Sequence, residues 1–204
     1  MKEKLGERRP AAASMDGGLL EGLLASLRAR KADSLLPGAL RAGRVLDVGC
    51  GHRLSFLLRS RFATKVGVDR PERSARGPGV HCVGVDLEHV TSLPFRDGSF
   101  STVSMLAVIE HLRPEAAQRV LRDVRRVLEE DGALVITTPL PWTDTLLTAM
   151  ARIGLLSRGQ IGDHERTYAL RELRHLCRDA GFDPDRIRVG RFEFGANAWL
   201  LARK

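Results

Sequence analysis

Three aspartates stand at or near the ends of successive strand-like runs, and a glycine-rich turn follows the first of them. The stretch "VLDVGCG" holds Asp47 inside the end of the first run, with Gly49 and Gly51 in the turn. Asp69 ends "VGVD", and Asp86 ends "VHCVGVD". Ligands of an open α/β sheet bind outside the carboxyl ends of its strands. Acids gathered there suit a cationic or amine-bearing ligand without phosphates.

Two observations argue against reading the same turn as the dinucleotide-binding fingerprint G-x-G-x-x-G. The third glycine of that fingerprint would fall at position 54, which is Leu54, and a pyrophosphate is poorly matched to a site with Asp47 in the turn and Asp86 nearby. Asp69 follows at the spacing of a ribose-binding acid. That acid is common to all ribose-binding relatives of the fold, so it does not distinguish one cofactor from another. The turn therefore argues against a pyridine nucleotide.

The elements that must position these residues alternate between strand-like and helical patterns. The strand-like runs are "RVLDVG", "KVGVD", "VHCVGVD", "STVSML" and "ALVITT". Helical spacing predicts helices over residues 54–62 and 115–128 and after Tyr168, with Gly132 and Gly181 closing the last two. The final runs, "RIRVGRF" and "ANAWLLAR", are too close in sequence to pair in parallel. The pattern predicts a single-domain, Rossmann-like α/β fold, with a mostly parallel open sheet, a C-terminal antiparallel hairpin and helices on both faces.

Length and composition exclude several classes of protein. The 204 residues are 43% apolar, enough for one domain with a sizeable core. Lys and Arg outnumber Asp and Glu by 33 to 25, but the arginines are scattered, which argues against a nucleic-acid partner. Cys50, Cys82 and Cys177 lie far apart and indicate neither a disulfide framework nor a zinc site. With no secretory signal and no run near the roughly 18 apolar residues of a membrane span, the sequence predicts a cytoplasmic protein.

Two segments outside the alternating pattern carry their own expectations. Residues 1–14 are predicted as a disordered arm before a domain over 15–204, which begins with a helix over 15–36. Residues 140–163 carry an apolar stripe at helical spacing, formed by Trp142, Leu146, Met150, Ile153 and Leu156. That stripe is compatible with core packing, with a cap over the active site against an apolar substrate, or with peripheral membrane contact. The oligomeric state does not follow from the sequence.

Taken together, the motifs carry a family resemblance. The order "VLDVGCG", "VGVD", "VGVDLEHVTSLPFRDGSF" and "VIEHL" over residues 44–139 resembles the class I S-adenosylmethionine-dependent methyltransferases. The later stretch "HERTYALRELRHLCRDAGF" is similar to a segment of many small-molecule members of that family. The resemblance implies S-adenosylmethionine as cofactor and methyl transfer to a small organic acceptor, which would be a quinone, lipid, sugar or secondary metabolite.

The resemblance also implies a role for each residue of the cofactor site. Asp47 would help to hold the cofactor's ammonium, Asp69 would accept hydrogen bonds from both ribose hydroxyls, and Asp86 would accept one from the adenine amino group. Gly49 and Gly51 would let the backbone approach the methionine part of the cofactor. The remaining cofactor-binding residues implied in this way are Cys50, Arg70, Leu87 and Glu110.

Methyl transfer is an in-line displacement that depends mainly on alignment, but a hydroxyl acceptor also needs a base. The candidates for catalysis are His111 after the fourth strand, and His164 with Tyr168 before the late helix. Each of them is alternatively a polar wall residue of the pocket. The "DHE" stretch around His164 has no second ligand pair at a suitable spacing, so the sequence predicts no metal site.

One departure from the family pattern bears on function. Many relatives carry a third glycine at the position of Arg53, and this side chain would block the site if it pointed inward. A blocked turn would indicate a non-catalytic module with the methyltransferase fold. An RNA or tRNA methyltransferase is a further alternative, although the Asn/Asp-Pro-Pro-aromatic motif of base-amino methylation is replaced by "LAVIEH".

Overall fold

The computed structural model describes residues 15–73, 76–143 and 167–204, and a seven-stranded sheet forms its centre. The strands lie in the order 3-2-1-4-5-7-6. They are β1 (Arg44–Val48), β2 (Thr64–Asp69), β3 (Val80–Gly84), β4 (Phe100–Leu106), β5 (Leu128–Pro139), β6 (Ile187–Phe192) and β7 (Asn197–Arg203). Strands β1 to β5 pair in parallel, and β7 runs antiparallel to both β5 and β6. The predicted fold class is confirmed.

Apolar side chains project from both faces of the sheet, so each face has to be covered by a layer of helices. Helices α1 (Met15–Leu35) and α2 (Ser55–Arg59) cover one face, where Ala29 and Phe56 pack with Val45 and Val135. Helices α3 (Pro114–Val127) and α4 (Leu170–Asp179) cover the opposite face. Leu46, Val48 and Leu134 point to that second layer, as the two-residue period of a strand requires.

The helix ends follow local sequence signals, and one prediction drawn from these signals is wrong. Helix α3 begins at Pro114, whose fixed φ suits the first turn, and Gly181 ends the α4 segment in the left-handed region at φ +96°. The prediction that Gly132 takes a left-handed cap after α3 is wrong. Asp131 adopts that conformation instead, at φ +61°, because β5 begins directly after α3 and carries the turn within it. Asp belongs to the few non-glycine residues that tolerate this region.

The chain order changes direction between β1 and β4, and this is the place where an α/β sheet receives its ligand. From β1 the chain moves outward through β2 to β3, and it then returns to build β4 on the other side of β1. The glycine turn after β1 and the loop after β4 therefore meet above the same edge. The predicted cofactor residues lie at the end of β1, on those two loops, at the end of β2 and in the loop after β3.

Several expectations fall outside the described residues. The arm over residues 1–14, His164 and most of the 140–163 segment belong to this group. Trp142, at the start of that segment, is half exposed, and its indole N–H donates to the Gly195 carbonyl at 3.0 Å. In the part of the chain that the structure describes, no helix combines the length and apolar character needed to cross a bilayer.

Candidate cofactor and acceptor site

The glycine turn is fixed by backbone hydrogen bonds to β2. The N–H groups of Gly49 and Cys50 donate to the Val68 carbonyl at 2.8 and 3.1 Å. Gly49 has φ +73°, and a Cβ built on it would overlap the Val108 side chain, which follows β4. Glycine is thus required at position 49 by the backbone conformation and by Val108 together.

Gly51 faces open space rather than protein. Its φ is +62°, and no atom of the described chain beyond its immediate neighbours lies within 4 Å of a Cβ built there. Its N–H donates to Oδ2 of Asp69 at 2.7 Å. The other carboxylate oxygen of Asp69 accepts from the Arg70 N–H at 2.8 Å. Because each carboxylate oxygen has two acceptor positions, Asp69 can still accept hydrogen bonds from a ligand.

Cys50 contributes its backbone to the turn and its side chain to the core. The residue is 7% exposed, and a Cβ built on Gly67 of β2 would stand 2.7 Å from the Cys50 Sγ. Burial raises the pKa of the thiol, so it remains protonated. Any contact of Cys50 with a ligand would therefore come from its main chain.

Asp47 is buried at the end of β1 beneath the turn. It is 3% exposed, and Ser104, directly opposite on β4, donates its hydroxyl to Oδ1 at 2.6 Å. Burial raises the Asp47 pKa to about 7, the Ser104 hydrogen bond opposes this rise, and the nearby Asp69 charge adds to it. A buried carboxylate with a raised pKa gains from a cationic partner, so this edge of the sheet favours a ligand with an ammonium group.

Asp86 lies in the loop just after β3, not in the strand itself. Its carboxylate accepts from the Glu88 N–H at 3.0 Å and approaches His89 Nδ1 at 2.9 Å. The His89 contact is the main reason that the Asp86 pKa lies below its ordinary value, and Arg70 contributes a smaller effect. Leu87 beside it is 8% exposed and belongs to the core layer of α3 and α4.

Arg53 points away from the open side of the turn. The side chain is exposed, and a Cβ built on Gly22 of α1 would lie 2.7 Å from its Nη1. The guanidinium is therefore directed toward α1 and not into the space beside Gly51. The next residue, Leu54, has φ +50° at the start of α2 and is 2% exposed. Leucine rarely adopts this conformation, which costs on the order of 1 kcal/mol or more.

The predicted catalytic residues occupy different environments. His111 is exposed at the end of a short 3-10 turn over Ile109–His111, whereas Tyr168 is 2% exposed and packs in the core layer of α3 and α4. Glu110 is 1% exposed, and its Oε2 accepts from the Thr138 hydroxyl at 3.1 Å, at the end of β5. Burial raises the Glu110 pKa, an effect that His111 and Arg28 of α1 oppose. The Thr138 hydrogen bond thus connects Glu110 to the end of β5.

Several residues that form the site were not identified from the sequence. They are Ser104 beneath the turn, Val108 against Gly49, and Thr138 beside Glu110. The available signal was a polar residue inside an apolar strand, as Ser104 is in "STVSML". That signal acquires meaning only when the register between β1 and β4 is known.

Comparison with known proteins identifies the family. The family model described as "Methyltransferase domain" matches residues 19–186. The chain belongs to this family. It is an S-adenosylmethionine-dependent methyltransferase, and S-adenosylmethionine is its cofactor. The resemblance inferred from the motifs is confirmed.

Individual relatives agree with that assignment. The chain is 30% identical over 158 residues to a protein of Encephalitozoon cuniculi that carries a provisional methyltransferase name, covering 70% of this chain and 71% of that protein. It is 26% identical over 161 residues to the ubiquinone biosynthesis O-methyltransferase of Neisseria meningitidis, covering 71% of this chain and 65% of that one.

Solved structures support the fold. A methyltransferase structure from Thermotoga maritima covers 93% of this chain and 94% of its own, with a TM-score of 0.70 and 23% identity. Human N-acetylserotonin methyltransferase, in complex with S-adenosylmethionine, aligns with a TM-score of 0.66 and 14% identity, over 92% of this chain and 55% of its own. At these identities the similarity concerns the fold alone.

Proposed function

We propose that this methyltransferase transfers the methyl group of S-adenosylmethionine to a small organic acceptor, such as a quinone, a lipid, a sugar or a secondary metabolite. The observation that carries the proposal is the open turn at Gly51, bordered by the buried Asp47 and by Asp69. Similarity to ubiquinone biosynthesis O-methyltransferases supports a small acceptor.

In this proposal the residues of the turn bind and orient the cofactor. Asp47 attracts the cofactor's ammonium, Asp69 accepts from the ribose hydroxyls, and Asp86 with the Leu87 backbone receives the adenine. The bound cofactor supplies an electrophilic methyl group, and the chain's contribution is to hold the acceptor in line with it. His111, exposed after β4, is the candidate base for a hydroxyl acceptor.

The first experiment is a calorimetric titration with S-adenosylhomocysteine, with NADH as the control ligand. Micromolar binding of S-adenosylhomocysteine alone supports the assigned site. Transfer of labelled methyl groups from S-adenosylmethionine to hydroxylated small molecules, compared with transfer to tRNA, then tests the acceptor class. Preferential labelling of tRNA would overturn the proposal in favour of an RNA methyltransferase.

Arg53 provides the test of the non-catalytic alternative. Because its guanidinium is directed toward α1, Arg53→Gly should change the affinity for S-adenosylhomocysteine by no more than about threefold. If the glycine variant binds much more tightly than the wild type, Arg53 closes the turn in solution. That result would favour a module that has lost cofactor binding.

A further inference from the structure

Among the residues that the structure describes, a group of buried polar atoms near the carboxyl edge of the sheet has no hydrogen-bond partner. In the part of the chain that the structure describes, these are Oε1 of Glu110, Oε1 of Glu193, Oδ1 of Asn197 and Nε of Arg28. We call these four residues the polar cluster. Glu110 and Asn197 are 1% and 5% exposed, so bulk water does not reach their side chains freely.

Hydrogen bonds and strand pairing place Glu110, Glu193 and Asn197 at the same edge of the sheet. Glu110 accepts from Thr138 at 3.1 Å, and the Asn197 amide donates to Oε2 of Glu193 at 2.5 Å. Pro139, which follows Thr138, is paired with Asn197 across β5 and β7. The two carboxylates are therefore held by residues at adjacent ends of the neighbouring strands β5 and β7, each through one oxygen only.

Arg28 of α1 acts electrostatically on both carboxylates. Burial raises the pKa of Glu110 and of Glu193, and the Arg28 guanidinium opposes the rise in each case. One cation therefore acts on two carboxylates, and the cluster as a whole favours additional positive charge or hydrogen-bond donors. The helix that carries Arg28 packs on β4 and β5, the strands whose ends flank the cluster.

The composition of the polar cluster indicates what its ligand must offer. Three of the four unpartnered atoms are acceptor oxygens, and only one is a donor. Buried polar atoms in folded proteins nearly always have partners, so several at one ligand-binding edge indicate that a bound molecule supplies them. Such a molecule must bring O–H or N–H groups, whereas a carboxylate or phosphate would face two carboxylates.

We propose that the polar cluster of Arg28, Glu110, Glu193 and Asn197 binds the methyl acceptor through hydroxyl or amino groups of that acceptor. This inference rests on the proposed function and narrows its substrate class to hydrogen-bond-donating acceptors. It assigns Glu110 to the acceptor side, where the resemblance implied cofactor binding. Glu193 and Asn197 become determinants of specificity.

The test uses the full chain saturated with S-adenosylhomocysteine. Calorimetric titrations compare catechol with 1,2-dimethoxybenzene, benzylamine with benzyl methyl ether, and benzoate as an anion. The main variant is Glu193→Leu/Asn197→Leu, because replacing both members of a hydrogen-bonded pair by apolar residues preserves folding better than removing one. Thr102→Val is the matched control, since it removes another buried oxygen that has no partner within the described residues, at a position paired with Val45 and Ala133 and away from the carboxyl ends of the strands.

The wild-type complex should bind catechol or benzylamine at least about tenfold more tightly than the donor-free counterpart, and benzoate not at all. The double variant should lose this preference, Thr102→Val should keep it, and the affinity for S-adenosylhomocysteine should stay within about twofold throughout. Preference for catechol alone identifies hydroxyl acceptors, and preference for benzylamine alone identifies amines.

The proposal is overturned if the wild-type complex shows no preference, or if the double variant retains it. If the double variant keeps the preference for the donor-bearing ligands and only its melting temperature changes, ordered water satisfies the polar cluster. If the double variant unfolds, the single variant Glu193→Gln tests the proposal instead. Because it removes the charged acceptor, it should lower the affinity for benzylamine at least about fivefold. Failure of the wild type to bind S-adenosylhomocysteine is a separate result, which refutes the proposed function.

Discussion

The buried Asp47 carboxylate, which we propose attracts the cofactor's ammonium, lowers the stability of the fold when it is charged. Because its folded pKa of about 7 lies above the ordinary Asp value of 3.8, the folded state binds more protons than the unfolded state between these values. The contribution of Asp47 to stability is therefore full below about pH 4 and is lost as the pH rises through about 7. Above that pH the charge is buried, with Ser104 as its hydrogen-bond donor.

Asp47→Asn should therefore stabilise the cofactor-free protein at pH 8 and leave it unchanged near pH 4. We expect the difference in the free energy of unfolding to grow by on the order of 1 kcal/mol per pH unit between about pH 4 and pH 7, and to level off above pH 7. Urea unfolding at a series of pH values measures it. The same variant should bind S-adenosylhomocysteine at least about tenfold more weakly, because the ammonium loses its charged partner. A variant less stable than the wild type at pH 8 would contradict this account.

Substitutions at Gly49 and Gly79 distinguish the energetic cost of steric contact from that of the backbone conformation. Both have φ near +70°, but a Cβ at Gly49 overlaps Val108, whereas one at Gly79 has open space in the described structure. Gly79→Ala should cost about 1 kcal/mol and Gly49→Ala roughly 2–4 kcal/mol of unfolding free energy. Combining Gly49→Ala with Val108→Ala should recover part of the difference. Equal costs at the two glycines would show that Val108 moves aside freely.

At the scale of elements, one arginine joins helix α3 to the loop before β4. The Arg126 guanidinium donates to the Leu93 and Phe95 carbonyls and to the carboxylates of Asp97 and Asp123, at 2.5–3.1 Å. The planar group serves acceptors in several directions at once, which a single ammonium does not reproduce. The loop from Leu93 is thereby fixed against α3 where it enters the sheet.

Arg126→Leu should lower the free energy of unfolding by about 2–3 kcal/mol, because two backbone carbonyls and two carboxylates lose their hydrogen bonds to the guanidinium. Arg126→Lys should recover less than half of that loss. Arg122→Ala, an exposed position on the same helix, is the control and should change stability by no more than about 0.5 kcal/mol. Urea unfolding measures all three, and complete recovery by lysine would contradict the multidentate role.

The elements were predictable from the sequence to different degrees. Buried strands and the amphipathic helix α3 follow from apolar periodicity, and Asp47 and Asp69 follow from their positions at strand ends. The pairings across the sheet were not predictable. Ser104 faces Asp47, and Asn197 faces Pro139, across distances in the chain that no local pattern encodes. The prediction at Gly132 was wrong because the strand that follows, not the helix, determined the turn.

At the scale of the whole molecule, the excess of arginine serves the fold. The sequence has a net charge of +8. Within the described residues, Arg41 pairs with Asp33 and Arg186 with Asp131, while Arg119 donates to the carbonyls of Glu88 and Val90. These guanidinium groups connect helices to loops in several parts of the molecule. The basic composition is thus partly explained without a polyanionic partner.

The cofactor should stabilise the molecule as a whole, because the site proposed for it joins loops from β1, β2 and β3. At a free concentration about 100 times its Kd, a ligand that binds only the folded state adds about 2.7 kcal/mol. For a chain of this size, S-adenosylhomocysteine should therefore raise Tm by roughly 5–10 °C. Asp69→Ala removes the acceptor proposed for the ribose and should reduce that shift to less than half at the same ligand concentration.

Differential scanning fluorimetry with NADH as the control measures this effect. No shift of the wild type with S-adenosylhomocysteine would mean that the Gly51 turn does not hold the cofactor. An equal shift in Asp69→Ala, measured against that variant's own ligand-free Tm, would mean that Asp69 only holds the Gly51 N–H. Its role would then be to shape the turn, and the ribose would depend on other acceptors at the ends of β1 and β3.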